Sequence, residues 1–146
     1  MNTLNHALWG ATIGRSVGLP IEGAIAGALP DLSNLPNIFY MFRHHLPVKK
    51  LPKWSLKTYS FFHNWWFAVS IIGILYFVNP RLSILGLCYF WHVAEDAVFH
   101  KKVATRFLWP IWKGKIQKYS AAEHKWVQVV DFLLIVVVNL WLNKKL

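Results

Sequence analysis

Trp91-His92-Val93-Ala94-Glu95-Asp96-Ala97-Val98-Phe99-His100 closes an apolar run that begins at residue 82 and is long enough to cross most of a bilayer. His92 and Asp96 are four residues apart, so a helix places them on one face, and His100 lies one turn further along it. An imidazole and a carboxylate stacked this way can hold one divalent metal, through nitrogen and oxygen. Ionisable groups in such a segment are costly in lipid and face a polar interior or a partner. The competing reading of this decapeptide is a helix end solvated among headgroups.

The composition around it points to the same medium. The 146 residues are one domain's worth, 55% hydrophobic and only 15% charged, against about a quarter charged in soluble domains. We therefore read residues 1–146 as a single integral membrane domain. A net charge of +10 invites a nucleic-acid partner. The bases, however, fall mainly in two stretches between apolar runs, a pattern that positive-inside topology explains more simply, so no nucleic acid is expected. Cys88 has no second cysteine to pair with and reads as a small helix-packing residue. No cleaved signal peptide is expected, because residues 1–5 carry no Lys or Arg and the apolar stretch that follows contains Arg15, Pro20 and Glu22.

Upstream, residues 4–29 are apolar and rich in glycine, with Gly10, Gly14 and Gly18 at steps of four, then Gly23 and Gly27. Such steps line small residues along one helix face, where two backbones can approach closely in lipid. Gly18-Leu19-Pro20 interrupts the run, so it is either one kinked span or two short helices folded into a hairpin. A straight helix would separate His6 from Asp31 by roughly 37 Å; a hairpin returns them to one membrane surface. The hairpin is the favoured reading, with Arg15 and Glu22 able to pair near its tip.

Residues 30–60 read as a polar, proline-rich connection carrying Arg43, Lys49, Lys50, Lys53 and Lys57, with Ile38 to Phe42 as a half-turn lying in the interface. Residues 61–78 form a span, Asn79-Pro80-Arg81 a tight turn, and residues 82–99 the antiparallel return. Residues 101–125 hold seven bases and read as a surface stretch, and residues 126–142 as the last span. The expected fold is all-α: a polytopic helical membrane protein with three full spans plus the N-terminal glycine-rich broken or hairpin pair. The positive-inside rule makes both large basic loops cytoplasmic.

With that topology, polar groups from separate segments come to one side: His6, Asp31, His63, and the His92/Asp96 pair. A His/Asp set drawn from several helices is what a metal site inside a bundle requires. Mixed nitrogen and oxygen ligands suit zinc, manganese or iron, with zinc the default for a hydrolase. Each residue also has an ordinary reading: His6 as an interfacial helix start, Asp31 as a cap, His63 as a headgroup anchor. His44 and His45 read as solvated. Asp131 and Asn139 read as interhelical hydrogen-bonding residues of the last span.

The sequence resembles the family of small membrane-bound metal-dependent hydrolases of prokaryotes, LexA-regulated inner-membrane proteins and their relatives. The likeness is carried by Asn5-His6-Ala7-Leu8-Trp9-Gly10, Gly27-Ala28-Leu29-Pro30-Asp31, Phe62-His63-Asn64, His92 to Asp96, and Leu108-Trp109-Pro110, in family order. Ser33 stands where the family writes a second Asp, and Thr58-Tyr59 where it writes His-Arg. The resemblance implies metal-assisted hydrolysis near the membrane surface. The ligand style is similar to that of zinc-dependent phospholipases C, which implies a phosphoester or lipid-headgroup substrate.

The expectation is thus a multi-pass protein of the prokaryotic inner membrane, holding a divalent metal with His6, Asp31, His63, His92 and Asp96. Glu95 or His100 would carry protons, and the basic loops would hold anionic lipid headgroups near a small-molecule or lipid substrate. The alternative is a non-catalytic metal-binding or structural membrane protein. A transporter built on the broken glycine-rich run is a third reading.

Overall fold

The computed structural model describes residues 2–45, 52–99, 107–108, 111–112 and 125–144. Every regular element among them is helical: α1 (Thr3–Arg15), α2 (Pro20–Leu32), α3 (Leu35–His44), α4 (Lys53–Phe62), α5 (Trp65–Val78), a 3-10 turn (Pro80–Leu82), α6 (Ser83–Phe99) and α7 (Lys125–Asn143).

The glycine-rich run is a hairpin. Gly18 adopts φ 70°, the left-handed conformation that lets the chain leave α1, and Pro20 opens α2 with its fixed φ. Gly10 and Gly14 pack against Gly23 and Gly27 so tightly that a Cβ on Gly10 would collide with the Gly23 carbonyl. The tip is closed by Arg81, whose Nε donates to the Val17 carbonyl at 2.7 Å. Arg15 does not pair with Glu22 as expected; its guanidinium instead donates to Asn143 Oδ1 on α7.

Two expectations change downstream. The interfacial half-turn at Ile38 to Phe42 is part of a full helix, α3, and the connection after it contains α4. The apolar run 61–78 is not one helix either. α4 ends at Phe62, His63 leaves helical geometry, and α5 starts afresh at Trp65 with a bend of 46°. The cause is local: Asn64 is an N-cap whose side chain accepts from Trp66 N at 2.9 Å. Two helical stretches, Pro80–Phe99 and Trp126–Asn143, are therefore long and apolar enough to cross a membrane, or three if the bent pair is one span.

Burial runs opposite to that of a soluble protein. Asn5, His6, Thr12, Asn37, Ser55, His63, His92 and Asp96 are buried, while Phe77 is 89%, Phe42 76% and Ile21 72% exposed. The apolar core is small: Ala68, Tyr89 and Val93 where α5 meets α6. Cys88 is buried with Sγ 3.4 Å from the Gly10 carbonyl, packing α6 onto the hairpin as its size suggested.

Only 6% of the apolar window of α7 is buried, and polar contacts dock it on α1. Asn2 donates to Gln128, Asn5 and Trp9 to Asp131, and Asn139 to Thr12. These steps of three and four residues keep one face of α1 on one face of α7. Asp131 and Asn139 thus hold helices together, as read from the sequence.

Candidate metal centre

Three pieces of backbone meet at the end of the molecule opposite the hairpin tip: the end of α2, the α4–α5 break and the last turns of α6. Asp31, His63, His92 and Asp96 each offer one ligand atom there, all within 4.8 Å of one another. His92 Nε2 stands 3.4 Å from Asp96 Oδ2 and 3.6 Å from Asp31 Oδ1, and His63 Nε2 stands 3.5 Å from Asp96 Oδ2. These gaps are too long for good hydrogen bonds. They match the separation of about 3.4 Å between donors placed about 2.1 Å from a common ion at tetrahedral corners.

Each of the four residues has its second polar atom occupied elsewhere. His92 Nδ1 lies 2.6 Å from the Gly27 carbonyl, and His63 Nδ1 lies 3.0 Å from the Tyr59 carbonyl. A carbonyl oxygen only accepts, so both Nδ1 atoms carry the proton and both neutral rings turn a bare Nε2 lone pair inward. Those two Nε2 atoms are buried and make no hydrogen bond. Asp31 Oδ2 accepts from the Thr3 hydroxyl at 2.6 Å, leaving Oδ1 towards His92. Asp96 Oδ1 faces His6 at 3.0 Å, leaving Oδ2 towards both imidazoles and within 3.4 Å of the Tyr59 hydroxyl.

Four acceptors therefore face one another with no proton between the two imidazoles. Burying such a set is unfavourable without a cation. His63, His92 and Asp96 are buried, and Asp31, with a side chain 21% exposed, forms the rim.

Comparison with known proteins finds no matching family model, no curated relative and no similar solved structure.

His6 and Glu95 take places the sequence did not foresee. His6 lies beside the four-residue group rather than in it. Its Nδ1 is 3.0 Å from Glu95 Oε2, its Nε2 is 3.0 Å from Asp96 Oδ1, and its ring stacks on His92 at 3.7 Å. Glu95 sits on the other side of the His6 ring from Asp96, not beside the ligand atoms. The reason is helical: consecutive residues diverge by about 100°, so Glu95 and Asp96 cannot both face one point. His6 fills the wedge between them.

With a carboxylate on each nitrogen, both His6 nitrogens are placed to donate, as in an imidazolium. Among the described residues, Asp31, Glu95 and Asp96 gather three carboxylates at this end of the bundle, negative charge that a cation would offset.

His100, the other expected proton carrier, lies outside the described residues, as do Trp109, Pro110, His124 and most of the second basic stretch. Ser33 and Thr58 both close onto their own backbone, to Pro30 O at 2.5 Å and Trp54 O at 3.0 Å. Sequence reading missed Thr3, Tyr59 and the Gly27 carbonyl. Tyr59 had a signal, one helical turn before His63; the others had none.

Proposed function

We propose that this chain is an integral membrane protein of the prokaryotic inner membrane in which Asp31, His63, His92 and Asp96 hold one divalent cation, zinc by preference, for hydrolysis of a phosphoester or lipid headgroup near the cytoplasmic surface. The observation that carries this reading is the pair of orphaned, inward-turned Nε2 atoms at metal-ligand spacing from two carboxylates. The inside-out burial supports a bilayer, crossed by three spans if the bent α4–α5 pair counts as one. Membership of the metal-dependent hydrolase family rests on the motif order given above.

A bound divalent ion supplies Lewis acidity and lowers the pKa of a coordinated water to about 7. The protein's part is positional. Gly27 and Tyr59 fix the two imidazole tautomers, Thr3 and His6 fix the two carboxylates, and Asp31 leaves one side open to water. The basic residues of the connecting stretches draw anionic headgroups to that opening, at about 1 kcal/mol per base.

Four protein donors also make a closed set, which is the arrangement of a structural site. That observation favours the second reading, a non-catalytic metal-binding membrane protein. Elemental analysis of detergent-purified protein, with a phosphodiester panel, separates them. The hydrolase reading expects one ion per chain, turnover on at least one phosphodiester, and loss of both in His92→Ala. Stoichiometric metal without turnover favours the structural reading; no metal in the wild type refutes both.

A further inference from the structure

The α4–α5 break shapes a cavity of about 780 Å³ that takes no part in the metal centre. Its described lining comes from the bent pair, with Lys57, Ser60 and Phe61 on α4 and Trp66, Phe67 and Ser70 on α5. Lys57, Ser60 and Phe61 share one face of α4, whereas Tyr59 and His63 turn the opposite way, towards Asp96. Groove and metal centre therefore lie on opposite sides of that helix.

The groove is polar at one end only. There Lys57 is exposed and, among the described residues, makes no ion pair. No Asp or Glu occurs in the sequence between Asp31 and Glu95, so the base has no acid on its own or the neighbouring helices α3 and α5. Midway stand Phe61 and Trp66, 58% and 44% exposed. Beyond them α5 carries no charged residue, and the Ser70 hydroxyl is spent on the Trp66 carbonyl at 2.8 Å. Base, indole, hydrocarbon is the order of one bilayer leaflet, in which Trp sits at the headgroup boundary. From Lys57 to Ser70 the helical rise is at most roughly 20 Å, against a leaflet hydrocarbon thickness of about 15 Å.

We propose that this groove seats one anionic phospholipid of the surrounding bilayer, its phosphate on Lys57 and Ser60 and one acyl chain along Phe61, Phe67 and Ser70. Left unfilled, the apolar walls would lack contacts on one side, which a chain supplies. Lys57 selects the headgroup, because a zwitterionic lipid brings its own cation beside the base. A second copy of this chain is no better a partner, since it brings a net charge of +10 to a basic rim. The lipid rests on the bilayer reading; the seat does not rest on the metal.

Native mass spectrometry of the full chain, released from maltoside micelles carrying dioleoyl phosphatidylglycerol or dioleoyl phosphatidylcholine, reads the bound lipid. The wild type should hold the phosphatidylglycerol about fivefold more tightly. Lys57→Gln should remove that preference, while Lys144→Gln, which deletes the same charge at the end of α7, should keep it. Ser70→Phe fills the chain end of the groove from an exposed position and should weaken dioleoyl phosphatidylglycerol by about tenfold. It should leave dihexanoyl phosphatidylglycerol unaffected, because that shorter chain stops before residue 70, and this retained binding shows the variant to be folded. Equal retention of the two dioleoyl lipids by the wild type overturns the proposal. So does an equal loss in Lys57→Gln and Lys144→Gln, or wild-type affinity in Ser70→Phe. Chelator-treated protein that keeps the preference supports this site even where the metal reading has failed.

Discussion

Gly27→Ala tests the link between the hairpin and the metal centre. A Cβ there would overlap the His6 carbonyl oxygen and stand 3.1 Å from Gly10 Cα and 3.2 Å from the His6 carbonyl carbon. Carbon atoms pack at about 3.5–4.0 Å, so α1 must retreat from α2 by roughly half an ångström at least, and nearer 1 Å to clear the oxygen. Overpacking of this kind costs about 3 kcal/mol at its upper range. Alanine returns about 1 kcal/mol through better helix propensity, leaving a loss of about 2 kcal/mol. At about 3 °C per kcal/mol for a chain of this size, the melting temperature should fall by roughly 6 °C. The same movement disturbs the Gly27 carbonyl that holds His92 Nδ1 at 2.6 Å. Loss of such an outer contact weakens metal binding by about 10- to 100-fold. Thermal shift in detergent and competitive metal titration read the two effects. Gly73→Ala is the control, because its Cβ would meet nothing within 4 Å, and it should hold or slightly raise stability. If Gly27→Ala kept both the melting temperature and the metal affinity of the wild type, the tight seam and its coupling to the centre would be refuted.

Two further outcomes follow from the same geometry. Removal of metal by a chelator should lower the melting temperature by about 8 °C relative to protein held at a hundredfold excess over Kd, since binding at that level is worth about 2.7 kcal/mol; re-addition of the ion should restore it. Asn139→Ala, which removes the bond to Thr12, should cost only about 0.6 kcal/mol and leave metal stoichiometry unchanged, because membrane interhelical hydrogen bonds are individually weak.

Much of this arrangement is legible in the sequence, for definable reasons. The glycine steps of four specify close helix approach, and Gly18-Leu19-Pro20 supplies both a left-handed exit and a proline start, so the hairpin follows from local chemistry. Topology then brings His63 to His92 and Asp96, since antiparallel neighbours return polar ends to one side. The break at His63-Asn64 was hidden because its flanks are apolar throughout, and hydropathy does not register a capping side chain. The difference between His6 and the two histidines of the candidate metal group, His63 and His92, was hidden for another reason. His6 and His92 lie within helices and His63 caps the end of one, and nothing in their sequence neighbourhoods separates them. What separates them is the partner of the second nitrogen: a backbone carbonyl for His63 and His92, a carboxylate for His6. A carbonyl leaves the opposite nitrogen bare and able to ligate, whereas carboxylates on both sides hold a proton on each. Carbonyl acceptors belong to every residue and carry no sequence signature, so which imidazoles are left free to ligate is written in the fold's hydrogen bonds and not in the motif spacing.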